Sequence, residues 1–174
     1  MAEKQLRMIH RHFEGLPELE IPKAYGLRTY GRGDEKAWAR IMNTGLGEWT
    51  AYRCRKKLTG QPQFLPEGLF FATYREVPVG SACAWRDSPD EWVTGILHMV
   101  CVRPEHRGKG LGHLVSLAVL RFLRDRGFRE ARLLTDDRRI PAIKSYLRLG
   151  FEPLYVEESH VDRWAAVMAG IDEE

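Results

Sequence analysis

What the chain lacks narrows the field first. Only three of its 174 residues are cysteine: Cys54, Cys83 and Cys101. They are scattered, odd in number and without Cys-x-x-Cys spacing. This excludes a disulfide-stapled scaffold and a thiolate zinc site, and predicts reduced thiols in a core. Long apolar runs are also missing. None nears the roughly 20 residues a helical membrane span requires, and Met1 to Gln5 has no apolar segment of the signal-peptide kind. The expected location is therefore cytoplasmic, with no membrane partner. Neither sign of charge dominates: 27 Lys and Arg against 24 Asp and Glu leave a net +3, too little by itself to imply a nucleic-acid partner. There are no internal repeats, low-complexity tracts or dividing linkers. With 44% hydrophobic and 29% charged residues, a chain of this length fits one globular domain over residues 1–174.

What is present is concentrated in one stretch, Val102 to Gly112. Residues 95–102 are dense in Ile, Leu, Met and Val and read as a buried strand. Leu111 to Arg126 carries apolar residues at 111, 114, 115, 118, 119, 122 and 123, a helical spacing. Between them, Arg107, Gly108, Lys109, Gly110, Leu111 and Gly112 form a glycine-rich turn flanked by Arg103 and His106. Glycine lets backbone N–H groups approach a ligand closely, and a helix starting there adds unpaired donors and its positive dipole end. Such a turn suits a phosphate or pyrophosphate. The spacing is neither the nucleotide P-loop nor the Rossmann fingerprint.

The string Arg107-x-x-Gly110-x-Gly112, preceded by Val102-x-Pro104, resembles the acyl-CoA motif of the GNAT acyltransferase superfamily. A second segment, Ala142-x-x-x-Tyr146-x-x-x-Gly150-Phe151, resembles a further element of that family, one helix and one strand later. The resemblance implies an α/β fold: a mixed, mostly antiparallel sheet of 6–7 strands with helices on both faces and a splayed parallel pair at the cofactor site. It also implies acetyl-CoA as acyl donor and no metal. Amides from Arg107 to Gly112 would wrap the pyrophosphate, and the main chain of Val100, Cys101 and Val102 would meet the acyl and pantetheine groups. Ala142 would leave room for pantetheine, and Tyr146 would protonate the departing thiolate. Where the family often has Asn, this chain has Arg139, which can donate but not accept; it is expected to contact the cofactor differently.

Other features follow from local pattern. Residues 1–24 read as an N-terminal extension, with Leu6 to Phe13 a short helix and the region of Pro17 and Pro22 a connector. Tyr25 to Tyr30 reads as the first strand. A helix capped by Asp34 follows, then a second from Thr50 to Leu58. A hairpin is expected from Leu69–Tyr74 and Val79–Trp85, a short strand at Ala131–Thr135, and a helix capped by Asp136 or Asp137 and ending at Gly150. Phe151 to Val156 reads as the return strand. Residues 158–174 read as a helical tail, with Val161, Trp164, Ala165 and Met168 on one face.

For chemistry, His98 is the candidate general base, two residues before Val100 and so expected on the same strand face; Glu48, Glu157, Glu158 and water are weaker alternatives. Glu48, Trp49, Tyr52 and Trp85 are candidate acceptor-binding residues, with Trp38 read as packing. The leading reading is N-acetyl transfer from acetyl-CoA to an amine by direct attack; the alternative is a non-catalytic CoA-binding regulatory domain of the same fold. A small-molecule amine is favoured over a protein N-terminus or lysine because no peptide-docking extension is evident. A nucleic-acid module is disfavoured, since the Arg121–Arg139 cluster lacks interleaved aromatics. A homodimer is a further expectation, with Trp164 as its contact.

Overall fold

A computed structural model describes residues 4–172. Seven strands form one sheet: β1 (Leu6–His10), β2 (Tyr25–Thr29), β3 (Leu69–Tyr74), β4 (Val77–Trp85), β5 (Thr94–Val102), β6 (Glu130–Thr135) and β7 (Glu152–Leu154). Their order is β2-β3-β4-β5-β6-β1-β7. β5 and β6 are parallel, and every other neighbouring pair is antiparallel. One face carries α3 (Leu111–Asp125), α4 (Ile140–Arg148) and α5 (His160–Asp172); the other carries α1 (Glu35–Met42) and α2 (Ala51–Cys54), which runs on into a π turn at Arg55–Thr59. The sheet is thus mixed and mostly antiparallel, with helices on both faces.

Two cores lie on opposite sides of the sheet. The larger unites Leu6, Met8, Leu97 and Leu133 with Leu114, Val115, Leu120 and Leu123 of α3, Ile143 and Tyr146 of α4, and Trp164 of α5. The smaller joins Trp38, Ile41 and Met42 of α1 with Cys54, Leu58, Phe71, Cys83 and Cys101. All three cysteines are free and buried. At roughly 1.5–3 kcal/mol for each large apolar side chain withdrawn from water, α3 is the principal anchor of the sheet, since nine of its fifteen residues are buried.

The structure corrects several sequence expectations. Leu6–His10 is a strand, not a helix, and sits between β6 and β7. Leu6, Met8, Ile9 and His10 are buried and only Arg7 is exposed, as in a central strand covered on both faces, and five residues are too few to separate that pattern from a helical one. Neither Asp136 nor Asp137 caps α4. Arg139 occupies that position, and the two carboxylates instead accept from Arg139 and Arg163. Asp34 precedes α1 without a side-chain cap bond; its carboxylate receives Arg28 and the Gly31 amide. The tail is helical, but its stripe is His160, Trp164 and Val167, while Val161 is exposed. Trp164 is fully buried in the chain's own core, so it is not a surface contact for a second copy. The hairpin turn is two residues, Arg75 and Glu76, both at positive φ, which starts β4 at Val77. β7 is shorter than expected, closing at Leu154.

Candidate active site

β5 organises the site. It pairs with β6 only at Thr94, Gly95 and Ile96, although both strands continue, so the parallel pair parts beyond Ile96. On its other side the register with β4 slips between Ser81 and Cys83: Ser81 faces Cys101 and Cys83 faces His98. One extra β5 residue is accommodated there, and Met99 stands at φ +55°. A β-bulge of this kind bends a strand and releases main-chain groups from the ladder.

The bulge also breaks side-chain alternation. Leu97, Val100 and Val102 pack with the core under α3, whereas Met99 and Cys101 join the core under α1. His98 stacks on Trp85, itself packed against the α1 side, with ring centroids 5.7 Å apart. The expectation that His98 and Val100 share a face is therefore overturned: the extra residue between them turns Val100 to the opposite side.

After Val102, Pro104–His106 makes one 3-10 turn, and the chain reaches α3 through Gly108 at φ +72° and Gly110 at φ +76°. A side chain at either position meets open space. The requirement is conformational, since left-handed backbone disfavours a Cβ. Gly110 is the N-cap of α3 and no side chain caps the helix. Its first turn closes with the Leu114 amide on the Gly110 carbonyl, which leaves the preceding amides facing the loop. The Arg107 guanidinium is used elsewhere: Nε donates to the Val102 carbonyl at 3.0 Å and an Nη donates to the Thr44 carbonyl at 3.4 Å. The side chain braces the loop, and the main chain is what faces outward. Lys109 leans toward the Tyr25 ring, with Nζ 6.0 Å from its centroid, and does not line the groove.

Two cavities meet at this strand. The first, about 890 Å³, is lined by Val100, Cys101, Val102, Arg107, Gly108, Gly110, Leu111 and Gly112 together with Arg139, Ala142 and Tyr146. The second, about 490 Å³, lies on the α1 side and includes Leu46, Trp85, Asp87, His98, Met99, Arg7 and Thr135. Val100, Arg139 and Tyr146 line both. Tyr146 is buried, and that burial pushes its hydroxyl up to about 12, with the nearby Arg139 charge opposing the rise. Its phenol is protonated throughout the neutral range. His98 is half-buried, and desolvation lowers it to about 4 against the opposing field of Asp87; the imidazole is neutral at pH 7. Arg139 lines both cavities with its guanidinium already engaged: Nε donates to Asp136 at 2.8 Å and an Nη to the Gly45 carbonyl at 3.3 Å. Arg107 and Arg139 therefore hold the Thr44–Gly45 loop from two sides.

Of the acceptor candidates, Trp85 lines the second cavity, and Glu48, Trp49 and Tyr52 do not. Trp49 packs edge-on against Trp38 at 4.9 Å and donates its indole N–H to the Leu46 carbonyl. Tyr52 is largely exposed. Glu48 offers its carbonyl to Arg53. Leu46, Met99 and Asp87 were not singled out from sequence, nor was Arg7, which reaches the cavity because β1 is a strand. The connector is a further surprise: Pro17, Glu18, Glu20 and Pro22 form a wall of the first cavity. Among the described residues, no group of three or more His, Cys, Asp or Glu is placed to hold a metal ion, and no helix is long and apolar enough to cross a membrane.

Known proteins resemble this chain in sequence and in fold. The model of the acetyltransferase (GNAT) family matches residues 38–151. A mycothiol acetyltransferase from Nocardia farcinica is 32% identical over 155 residues, covering 83% of this chain and 51% of that protein. Another from Thermomonospora curvata is 34% identical over 143 residues, covering 78% and 47%. The chain thus spans about half the length of the curated relatives it matches. Among solved structures, a GCN5-related N-acetyltransferase from Sphaerobacter thermophilus superposes with a TM-score of 0.70 at 21% identity, over 87% of this chain and 50% of that one.

Proposed function

Since the chain belongs to the acetyltransferase (GNAT) family, we propose that it transfers an acetyl group from acetyl-CoA to the amine of a small molecule, by direct attack with both reactants bound. The observation that carries this reading is the meeting of two cavities at Val100 and Tyr146, where the bulged strand leaves its parallel neighbour. The residues present suit CoA. Uncapped amides at the start of α3 and a glycine turn accept a diphosphate, and the small Ala142 leaves space beside Tyr146. When bound, the cofactor supplies the activated acyl group.

In this reading the chain contributes alignment and proton handling. Unpaired main-chain groups of β5 around Val100 orient the acyl carbonyl. The neutral His98 takes a proton from the nitrogen as attack makes it acidic, with Asp87 supporting the charge that develops on the ring. The protonated Tyr146 donates to the leaving sulfur as the carbon–sulfur bond breaks, burial having kept its phenol protonated beforehand. Trp85, Leu46 and Met99 form the apolar side of the acceptor cavity. A small-molecule acceptor agrees with relatives that carry the name mycothiol acetyltransferase. The test is release of free CoA thiol from acetyl-CoA across a panel of small amines. Amine-dependent release supports the reading, and failure of acetyl-CoA to bind overturns it.

A further inference from the structure

The first cavity extends past the glycine turn. There it continues between α3 and α4, where His113 and Leu117 face Pro141, Ser145 and Arg148. The polar members form one cluster. Ser145 Oγ lies 3.5 Å from His113 Nδ1, joining the two helices. Arg148 is three residues past Ser145 and on the same face of α4. Its guanidinium makes no ion pair among the described residues, and its charge, after burial, is what lowers His113. Two basic groups and a hydroxyl thus line one stretch of the groove, the basic pair close enough to act on one another. The opposite wall offers Glu18 and Glu20 of the connector, both exposed, so nothing on the helices neutralises the pair.

Accepting the CoA reading above, on which this inference rests, the position identifies the anion. His113 follows Gly112 directly, so the cluster begins where the diphosphate cradle ends. In CoA a single ribose separates the diphosphate from a second anionic group, the 3′-phosphomonoester. We propose that Arg148, with Ser145 and His113, is the receptor for that phosphomonoester, and that it sets the preference for CoA over its dephosphorylated form. Arg148 supplies charge-assisted hydrogen bonds, Ser145 a neutral donor, and His113 a donor whose protonation the dianion favours.

Calorimetric titration of CoA and of 3′-dephospho-CoA into the wild-type chain, Arg148→Ala and Arg148→Lys tests this. Wild type is expected to bind CoA about tenfold tighter than dephospho-CoA, as one charge-assisted contact implies. Arg148→Ala is expected to lose that preference through weaker CoA binding, with dephospho-CoA unchanged within about twofold, and Arg148→Lys to keep part of it. Equal affinity of wild type for both ligands overturns the inference, as does equal weakening of both by Arg148→Ala. Binding of neither ligand to wild type brings down the CoA reading itself, a separate result. Arg148 is exposed, so its variants are expected to fold; a thermal melt confirms that each titrated sample is native.

Discussion

The two cavities are built by different means. The cofactor side is main-chain architecture from one continuous run: a bulged strand, two left-handed glycines and an uncapped helix start, residues 99–114. The acceptor side is a mosaic of side chains from distant segments: Arg7, Leu46, Trp85, Asp87, His98 and Thr135. Backbone geometry tolerates many side chains as long as the torsions persist. A side-chain mosaic changes character with any one member. On the proposed function, one half of the site is a general fixture for the donor, and the other is where the acceptor would be chosen.

The largest effect should come from breaking the torsions. Gly110→Val puts a β-branched residue at φ +76°, a strain of about 1–3 kcal/mol, and should weaken CoA binding on the order of a hundredfold by calorimetry. Next is the group at the junction. Tyr146→Phe should lower kcat by about 10²–10³-fold, the usual scale of acid catalysis, while changing the acetyl-CoA KM less than about threefold in steady-state assays. An unchanged kcat would remove Tyr146 from the chemistry.

His98 tests the acceptor half through stability. Its pKa falls from 6.5 unfolded to about 4 folded, so between those values the unfolded chain binds more protons. Stability then declines as pH drops from 6.5 to 4. His98→Gln should remove this part of the decline, of the order of 2 kcal/mol given the ring's partial exposure, as read by chemical denaturation at pH 7 and pH 4.5. A smaller change is expected from Asp87→Asn: a few-fold rise in acceptor KM with the acetyl-CoA KM constant. Glu48→Ala and Tyr52→Phe, outside both cavities, should leave every constant within about twofold.

Legibility followed the same division. The cradle was readable because glycine spacing and a strand-to-helix change are local, and so were Ala142 and Tyr146, four apart on one helix. The hairpin and α1 were readable by periodicity. The Met99 bulge was not: one inserted residue leaves no mark on an apolar run, and it decides which way Val100 faces. Nor was β1, since Leu6 to His10 is too short to separate the two periods and its partners are 120 or more residues away in sequence. Trp49 and Tyr52 looked like lining because aromatics beside a loop suggest contact; packing on Trp38 claimed the first, and solvent faces the second. Leu46 and Arg7 reach the acceptor cavity only through tertiary placement.

The position of β1 bears on how the molecule is made. Residues 6–10 leave the ribosome long before residues 130–135 and 152–154, between which they must lie. Until Leu154 emerges, the first segment of the sheet waits with unsatisfied hydrogen-bonding edges, and the site's two arms cannot be locked at their final separation. Closure of so distant a pairing slows folding and prolongs exposure of sticky strand edges, so β1 is expected to enter the sheet late, as a keystone between β6 and β7.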